Sequence, residues 1–166
     1  MSQKDYVTDE LKVKQKAIFR LDELYKSLTF WFKNYEYALD EKEYFERQEA
    51  AGKSIMIKWL AKKEVNEYIR FVIEMDFLIV GVEDVEIEQD GLKSKASKGE
   101  IEMKINAYLL KDYEDNWSKN AFMTFLRETY DKFIIRSRIE SYEDDLYSET
   151  YKFVNEIKAF LELHRF

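Results

Sequence analysis

The chain has 166 residues, which is the usual span of one domain, and its 46% hydrophobic and 16% aromatic content excludes wholesale disorder. Its 34 acidic and 27 basic side chains give a net charge of −7, which argues against a general nucleic-acid-binding surface. With no cysteine and one histidine, His164, the sequence excludes disulfides, thiolate metal sites, cysteine nucleophiles and any mechanism that needs two imidazoles.

The sequence contains no segment typical of a membrane or secreted protein. No uncharged run approaches the ~20 apolar residues that cross a bilayer, so we expect no membrane span. Met1–Glu10 carries four charged side chains and lacks the apolar segment of a secretory signal. We therefore expect a cytoplasmic protein.

Two N-terminal elements are predicted by a change in the spacing of apolar residues. Leu11, Val13 and Ala17 alternate with lysines, which predicts a strand with one buried and one cationic face. From Leu21 the apolar residues recur every three or four positions, which predicts an amphipathic helix. Its apolar stripe consists of Leu21, Leu24, Tyr25, Leu28, Trp31 and Phe32.

Several strands are predicted in the middle of the chain. The segment 41–49 favours a second strand, although a helix fits almost as well because Tyr44 and Phe45 would lie on opposite faces of a strand. Apolar residues at every second position make 54–62 and 68–80 the clearest strands, and the other face of 68–80, which carries Arg70, Glu74, Asp76 and Leu78, is half-polar. Their shared apolar faces are formed by Ile55, Ile57, Trp59 and Ala61, and by Ile69, Phe71, Ile73, Met75, Phe77 and Ile79.

Glycines divide the segment that follows. Gly81 predicts a bulge or a sharp bend, after which apolar and acidic residues alternate up to a turn at Asp90 and Gly91. A last strand is predicted from Gly99 to Leu109. Short turns without intervening helices favour an antiparallel meander over parallel βαβ units.

After Asp115 the apolar spacing becomes helical to the end of the chain. One stripe consists of Phe122, Phe125, Leu126, Tyr130 and Phe133, and another of Tyr142, Leu146, Phe153, Ile157, Phe160 and Leu161. Ser141 followed by Asp144 resembles a capping box, which predicts a break between two long helices around 138–140.

These elements together predict a single α+β domain over residues 1–166. An antiparallel sheet of about five or six strands is covered on one face by the N-terminal helix and the two long C-terminal helices. The sequence has no internal repeat and no Gly/Ser-rich linker that would divide this domain.

Acidic side chains on two predicted strands are candidates for an interaction surface. Glu86 and Glu88 project from one face of their strand, and pairing with the next strand would bring Glu100 and Glu102 beside them. Such a group could hold a hard cation or a basic partner, but the spacing and glycine of a calcium loop are absent. A solvated sheet face is the favoured interpretation, and we assign no cofactor or metal.

A basic segment and one aromatic residue are the other candidates. Lys93, Lys95 and Lys98 form a basic loop within 91–99, for which a solvated surface is favoured over phosphate binding because no aromatic stacking motif accompanies it. Phe30 points away from the apolar stripe of the first helix. We expect Phe30 to be buried inside the protein, with an exposed anchor for another protein as the alternative.

The order of elements, with a strand, a helix, several antiparallel strands and a long closing helix, resembles the helix-grip arrangement of START-related lipid and ligand carriers. That resemblance implies an apolar ligand held between sheet and helix. The stretches GEIEMKINAYLLKDYEDNW at 99–117 and FLRETYDKFIIRSRIESYEDDL at 125–146 are similar to small uncharacterised archaeal α+β proteins. This second resemblance implies no activity and no catalytic residue.

Because the sequence has no catalytic motif, our leading hypothesis is a non-catalytic binding or adaptor protein. It would act through protein–protein contacts, with a partner protein or as a homo-oligomer. The alternative is a carrier of a small apolar ligand in a cavity between the sheet and the C-terminal helix. A metal-assisted carboxylate enzyme is a third hypothesis that depends only on the acidic groups. Nucleic acid fits the acidic net charge least well as a partner.

Overall fold

Residues 2–114, 121–129 and 136–163, which a computed structural model describes, form a five-stranded antiparallel sheet and three helices. The elements in chain order are β1 (Gln3–Phe19), α1 (Leu21–Asn34), β2 (Ala38–Glu49), β3 (Gly52–Glu64), β4 (Ile69–Gln89), β5 (Leu92–Lys111), α2 (Ala121–Thr129) and α3 (Arg136–Leu163). The predicted α+β class is confirmed, with one N-terminal helix, two C-terminal helices and contacts between helices and sheet.

The strands lie side by side in the order β1-β5-β4-β3-β2, and each pairs antiparallel with its neighbours. The strands from β2 to β5 form the predicted meander, because each pairs with the next one along the chain. β1 pairs with the last strand, β5, and α1 connects β1 to β2 at the opposite edge. The two edges of the sheet are therefore β1 and β2.

One face of the sheet, which we name the inner face, forms the core. The apolar residues predicted to share a face in 54–62 and 68–80 are all buried there. The buried inward residues of β5 are Ile101, Met103, Ile105, Ala107 and Leu109. Alternation of period two directs these side chains to one face, and α3 packs against β1 and β5 while α1 contacts α3 and β2. The helices therefore cover the apolar face of the sheet.

Aromatic rings join the N-terminal helix to the C-terminal helix. The buried residues of α1 are Leu24, Leu28, Trp31 and Phe32, as its apolar stripe predicts. The rings of Trp31 and Phe32 lie 5.0 and 4.6 Å from the ring of Phe153 in α3. Ring pairs at such separations stabilise a protein by roughly 0.5–1.5 kcal/mol beyond the area they bury. This cluster joins α1 to α3 above the sheet.

The predicted bend at Gly81 is confirmed. The register of β4 and β5 shifts between Val80 and Glu83, and Gly81 has a positive φ of 63°. The predicted turn is also present, since Asp90 and Gly91 have φ values of 53° and 76° and close a two-residue hairpin. β4 continues through the bend as one long strand.

Two strand predictions have different outcomes. Residues 41–49 form a strand within β2, and the competing helix is not observed there. β5 begins at Leu92 instead of Gly99, so the prediction of a loop within 91–99 is wrong. The segment is one arm of the β4–β5 hairpin, and it lacks a strand-like sequence pattern because both of its faces carry exposed or half-buried polar residues.

α3 is continuous over 136–163, so the break predicted around 138–140 is wrong. Ser141 lies inside the helix and does not cap a helix start. Ile139 and Leu146 are both buried, which means that the apolar side of α3 continues past the predicted break. Packing of that side against the sheet outweighs the local capping signal.

α2 is short, and it directs the predicted apolar stripe outward. Phe122, Phe125 and Leu126 are 67, 62 and 37% exposed, so the prediction that this stripe covers the sheet is wrong for them. The buried residue of α2 is Arg127, whose guanidinium lies 3.6 Å from the carboxylate of Asp112. Removing one partner of such a buried pair is costly, so the pair decides which side of α2 faces inward.

The remaining residues of the predicted stripe, Tyr130 and Phe133, and the single histidine, His164, lie outside the described residues.

We expect Gly52→Ala to lower the free energy of unfolding by about 1–3 kcal/mol. Gly52 has a φ of 118°, and an added Cβ would lie 3.0 Å from the carbonyl carbon of Gly81 and 3.1 Å from the carbonyl oxygen of Val82. Gly91→Asn is the matched control, because Gly91 has open space and a φ of 76°, which asparagine adopts readily. Urea denaturation measures both variants, and equal losses of stability would contradict the expectation.

Candidate functional site

Phe30 is exposed on the side of α1 that faces away from the core. Its side chain is 65% exposed, so our expectation of internal burial is wrong. α1 buries the stripe that contains Leu28 and Phe32, and helical spacing places Phe30 on the other side. Its neighbours Thr29 and Lys33 are exposed and polar. Phe30 therefore stays a candidate contact, but it is a single apolar side chain, which is common on protein surfaces.

Glu86 and Glu88 lie in the β4–β5 hairpin, where each faces a lysine. Glu86 is directly opposite Lys95, and Glu88 is directly opposite Lys93. Opposite charges at facing positions stabilise a strand pair by roughly 0.2–1 kcal/mol. Lys98 also lies in β5 and pairs with β4. The three lysines therefore belong to a paired strand, and two of them face the acidic candidates.

Glu100 and Glu102 lie in another part of the sheet. They are directly opposite Val80 and Leu78 of β4, and six residues separate Val80 from Glu86, which is about 20 Å along a strand at ~3.3 Å per residue. The prediction that strand pairing brings the four acids together is therefore wrong. The strand that follows the turn is longer than predicted, and this extra length displaces the two glutamates from the hairpin tip.

An exposed apolar patch crosses three strands on the outer face of the sheet, opposite the core. Phe45 of β2 is directly opposite Met56 of β3, and Met56 is directly opposite Leu78 of β4. Their side chains are 59, 42 and 37% exposed. Facing residues on neighbouring strands share one face and lie within contact distance. We name these three residues the apolar row.

A row of charged residues borders the apolar row, two residues further along each strand. Its members, in order from β2 to β1 across the sheet, are Glu43, Lys58, Asp76, Lys104 and Lys12. The signs alternate over the first four positions, so each of those neighbouring pairs is favourable. We name these five residues the charged row. An apolar centre with a charged border is typical of a protein-binding surface.

The apolar row cannot be recognised from the sequence. Alternation places Leu78 on the half-polar face of its strand, but Met56 and Phe45 come from strands whose register the sequence does not determine. The available signal was the outward position of Met56 between the inward residues Ile55 and Ile57. Only the pairing of β2, β3 and β4 shows that the three side chains meet.

A partly buried ion pair joins α3 to the sheet. Lys63 Nζ donates to the two carboxylate oxygens of Glu149 at 2.8 and 2.9 Å, and Tyr37 Oη donates to Glu149 Oε2 at 2.6 Å. The Lys63 ammonium also lies 4.7 Å from the centroid of the Tyr37 ring. Because three donated hydrogen bonds occupy the carboxylate, these residues form a structural clamp between α3 and the sheet.

The pKa of Tyr37 makes the clamp sensitive to alkaline pH. Burial, and after it the hydrogen bond to Glu149, raise the pKa of Tyr37 well above its ordinary value. The unfolded chain ionises Tyr37 near pH ~10 while the folded chain keeps it protonated, so the free energy of unfolding decreases as pH rises above about 10. We expect Tyr37→Phe to make this decrease less steep. Urea denaturation at several pH values between about 8 and 11 gives the free energy of unfolding of the wild type and of the variant. The same dependence on pH in both proteins would contradict the expectation.

The clamp forms one wall of a cleft between α3 and the end of β3. The cleft has a volume of about 410 Å³. Its other lining residues include Tyr35, Glu64, Tyr142, Asp145, Ser148 and Lys152. Acidic, basic and aromatic side chains therefore share the lining, which differs from the predominantly apolar lining of most small-molecule sites.

Residues 2–114, 121–129 and 136–163 contain neither a cluster of metal-binding side chains nor a helix suited to cross a membrane. No group of three or more aspartate, glutamate or histidine side chains in these ranges is arranged to hold a metal ion. None of the helices in the same part of the chain is both long and apolar enough to cross a membrane.

No family model, curated protein or solved structure matches this chain. The function of this protein must therefore be inferred from its surfaces, in particular from the apolar row and the two edges of the sheet.

Proposed function

We propose that this protein is a non-catalytic binding protein that acts through protein–protein contacts, with the apolar row as its docking surface. The observation that carries the proposal is the contiguous exposure of Phe45, Met56 and Leu78 across three strands. Apolar surface that is removed from water stabilises a complex by roughly 25 cal/mol per Å². Three adjacent apolar side chains provide such a driving force, whereas an isolated one such as Phe30 provides little.

The surroundings of the apolar row indicate the chemistry of the partner. The charged row runs along one side of it, and Arg47 lies two residues beyond Phe45 on β2. Interfaces exclude charges from their centre and keep a polar rim. We therefore propose a partner protein whose docking surface has apolar side chains at its centre and charges of both signs at its rim.

The alternative function, a carrier of a small apolar ligand, is supported by the order of elements. Two observations favour the binding protein over it. Trp31, Phe32 and Phe153 are buried where the helices meet above the sheet, and the cleft beside α3 has a charged lining. Native mass spectrometry of the purified protein separates the two functions, because a carrier retains a co-purifying apolar molecule and a binding protein gives the mass of the chain alone.

The proposed function is tested by affinity capture, with the purified protein as bait and a lysate of the cells that express it. The test variant combines Phe45→Ser, Met56→Ser and Leu78→Ser. Substitutions at exposed positions such as these change the free energy of unfolding little. The matched control combines Phe122→Ser and Phe125→Ser, which remove exposed aromatic side chains from α2.

We expect wild type and control to capture the same protein, and the test variant to lose it. Titration calorimetry with the purified captured protein should then show at least a tenfold weaker affinity for the test variant, which corresponds to about 1.4 kcal/mol. Equal affinity of wild type and test variant, or no protein that binds the purified chain, would overturn the proposal.

A further inference from the structure

The two edges of the sheet carry opposite charges. β2 has five acidic and two basic side chains, a net charge of −3. The segment Leu11–Phe19 of β1 has three lysines and no acidic side chain, a net charge of +3. We propose that a second copy of this chain adds to the sheet, with β1 of one copy beside β2 of the other. This contact uses the sheet edges, so it goes beyond the partner proposed for the outer face.

Both edges offer regular segments to which a strand can add. In the described part of the chain, β1 pairs with β5 alone and β2 with β3 alone. The register irregularities lie before Leu11 in β1 and before Glu43 in β2, so Leu11–Phe19 and 43–49 pair without a bulge. An edge strand presents a row of main-chain N–H and C=O groups, which is a template for pairing with another chain.

The segments Leu11–Phe19 and 43–49 lie at the same position along the strand direction of the sheet. The charged row connects Glu43 of β2 to Lys12 of β1, and the next row connects Phe45 to Lys14. Strand directions alternate across the five strands, so β1 and β2 run parallel to each other. A second copy that continues the sheet in this register therefore adds its β1 as a parallel neighbour of β2, with Lys12 beside Glu43 and a segment of net charge +3 beside the segment 43–49 of net charge −2.

Several of these charges have no ion pair within their own chain. Among the described residues, Lys12, Lys16 and Glu43 form none, whereas Lys14 Nζ lies 3.3 Å from a carboxylate oxygen of Glu100. Like charges at facing positions destabilise a strand pair, so two β1 edges or two β2 edges repel each other. The charges therefore favour pairing of β1 with β2 over pairing of two β1 edges or two β2 edges.

This contact joins two different surfaces of the same protein. Each added copy leaves one β1 edge and one β2 edge open, so the assembly grows unless it closes into a ring. Neighbouring strands are rotated by about 20–25°, so successive copies follow a helical path. The attraction is electrostatic at an exposed edge, and salt weakens such attraction.

Sedimentation velocity of the full chain over a range of concentrations is the first test. We expect the weight-average mass of the wild type to exceed that of a monomer as concentration rises. It should return to the monomer mass in ~1 M salt, where charges are screened beyond about 3 Å. A wild type that is monomeric at every concentration would overturn the proposal.

Charge reversal of each edge is the second test. Glu43→Lys with Glu49→Lys makes β2 basic, and Lys12→Glu with Lys16→Glu makes β1 acidic. We expect each variant alone to be monomeric, because its two edges then carry the same sign. An equimolar mixture should associate, because the basic β2 of one variant meets the acidic β1 of the other.

A mixture that stays monomeric, or single variants that associate as the wild type does, would contradict pairing of β1 with β2. Circular dichroism checks that the variants are folded, and the double reversals Glu46→Lys with Glu49→Lys and Lys14→Glu with Lys16→Glu, which give the same edge charges, replace any variant that is not. The pairs Glu46→Lys with Glu49→Lys and Lys14→Glu with Lys16→Glu lie outside both the apolar row and the charged row, so the outer-face partner should still bind these variants. Failure of self-association and failure of the proposed function are therefore separate results.

Discussion

Replacing Phe153 with alanine is expected to lower the free energy of unfolding by about 3–5 kcal/mol. The Phe153 side chain is fully buried, and its ring contacts Trp31 and Phe32 at centroid distances of 5.0 and 4.6 Å. Truncation removes apolar surface from the core and leaves a cavity between α1 and α3 that rigid rings cannot fill. The loss should therefore be near the upper end for a single core substitution.

Urea denaturation followed by circular dichroism measures this loss, and Phe30→Ala is the matched control. Phe30 belongs to the same residue type but is 65% exposed, so its removal should change the free energy of unfolding by less than about 0.5 kcal/mol. Similar losses for the two variants would contradict the arrangement in which α1 and α3 meet through Phe153.

Replacing Glu149 with alanine is expected to lower the free energy of unfolding by about 1–3 kcal/mol. The substitution leaves the ammonium of Lys63, whose side chain is 17% exposed, and the hydroxyl of the buried Tyr37 without their shared acceptor. Unsatisfied polar groups that are mostly shielded from water cost more than the net value of the hydrogen bonds they lose. The clamp between α3 and the sheet therefore depends on this carboxylate.

Glu140→Ala is the matched control for the clamp, since it removes the same side chain from the same helix. Glu140 is paired with Arg136 at 3.4 Å, but their side chains are 63% and 78% exposed. Exposed ion pairs of this kind contribute about 0–1 kcal/mol. Thermal and urea denaturation compare the variants, and a loss for Glu149→Ala no larger than for Glu140→Ala would argue against the clamp.

The clearest strands could be predicted because apolar residues occupy every second position. In 54–62 and 68–80, apolar residues occupy every inward position, and the sequence has no proline to interrupt a ladder. The bend at Gly81 and the turn at Asp90 were also predicted, because positive φ values select glycine and tolerate aspartate. Local chemistry was sufficient for these features.

Features that depend on tertiary contacts could not be predicted. The segment within 91–99 is a strand because it pairs with β4, although its own residues show no alternation. The stripe of Phe122 and Phe125 has helical spacing, but the buried pair of Arg127 with Asp112 turns α2 the other way. The sequence shows that a face is apolar, and the remaining contacts decide whether it is buried.

The candidate site required the strand register. Glu100 and Glu102 were expected beside Glu86, but the register places them opposite Val80 and Leu78, about 20 and 26 Å from Glu86 along β4 at ~3.3 Å per residue. The same register brings Phe45 and Met56 together, although they are eleven positions apart in sequence. A shift of one residue would move every side chain to the other face, and no local pattern in the exposed strand β2 specifies that choice.

The exposure of individual methionines to oxidation tests the central claim most directly, namely that the helices cover one face of the sheet and leave the apolar row open. Met56 on the outer face is 42% exposed, whereas Met75 and Met103 on the inner face are 1% and 0% exposed. Brief treatment with hydrogen peroxide, followed by mass spectrometry of the peptides, should show rapid oxidation of Met56 and protection of Met75 and Met103 in the folded protein. Equal rates at the three positions, or protection of Met56 alone, would contradict the account.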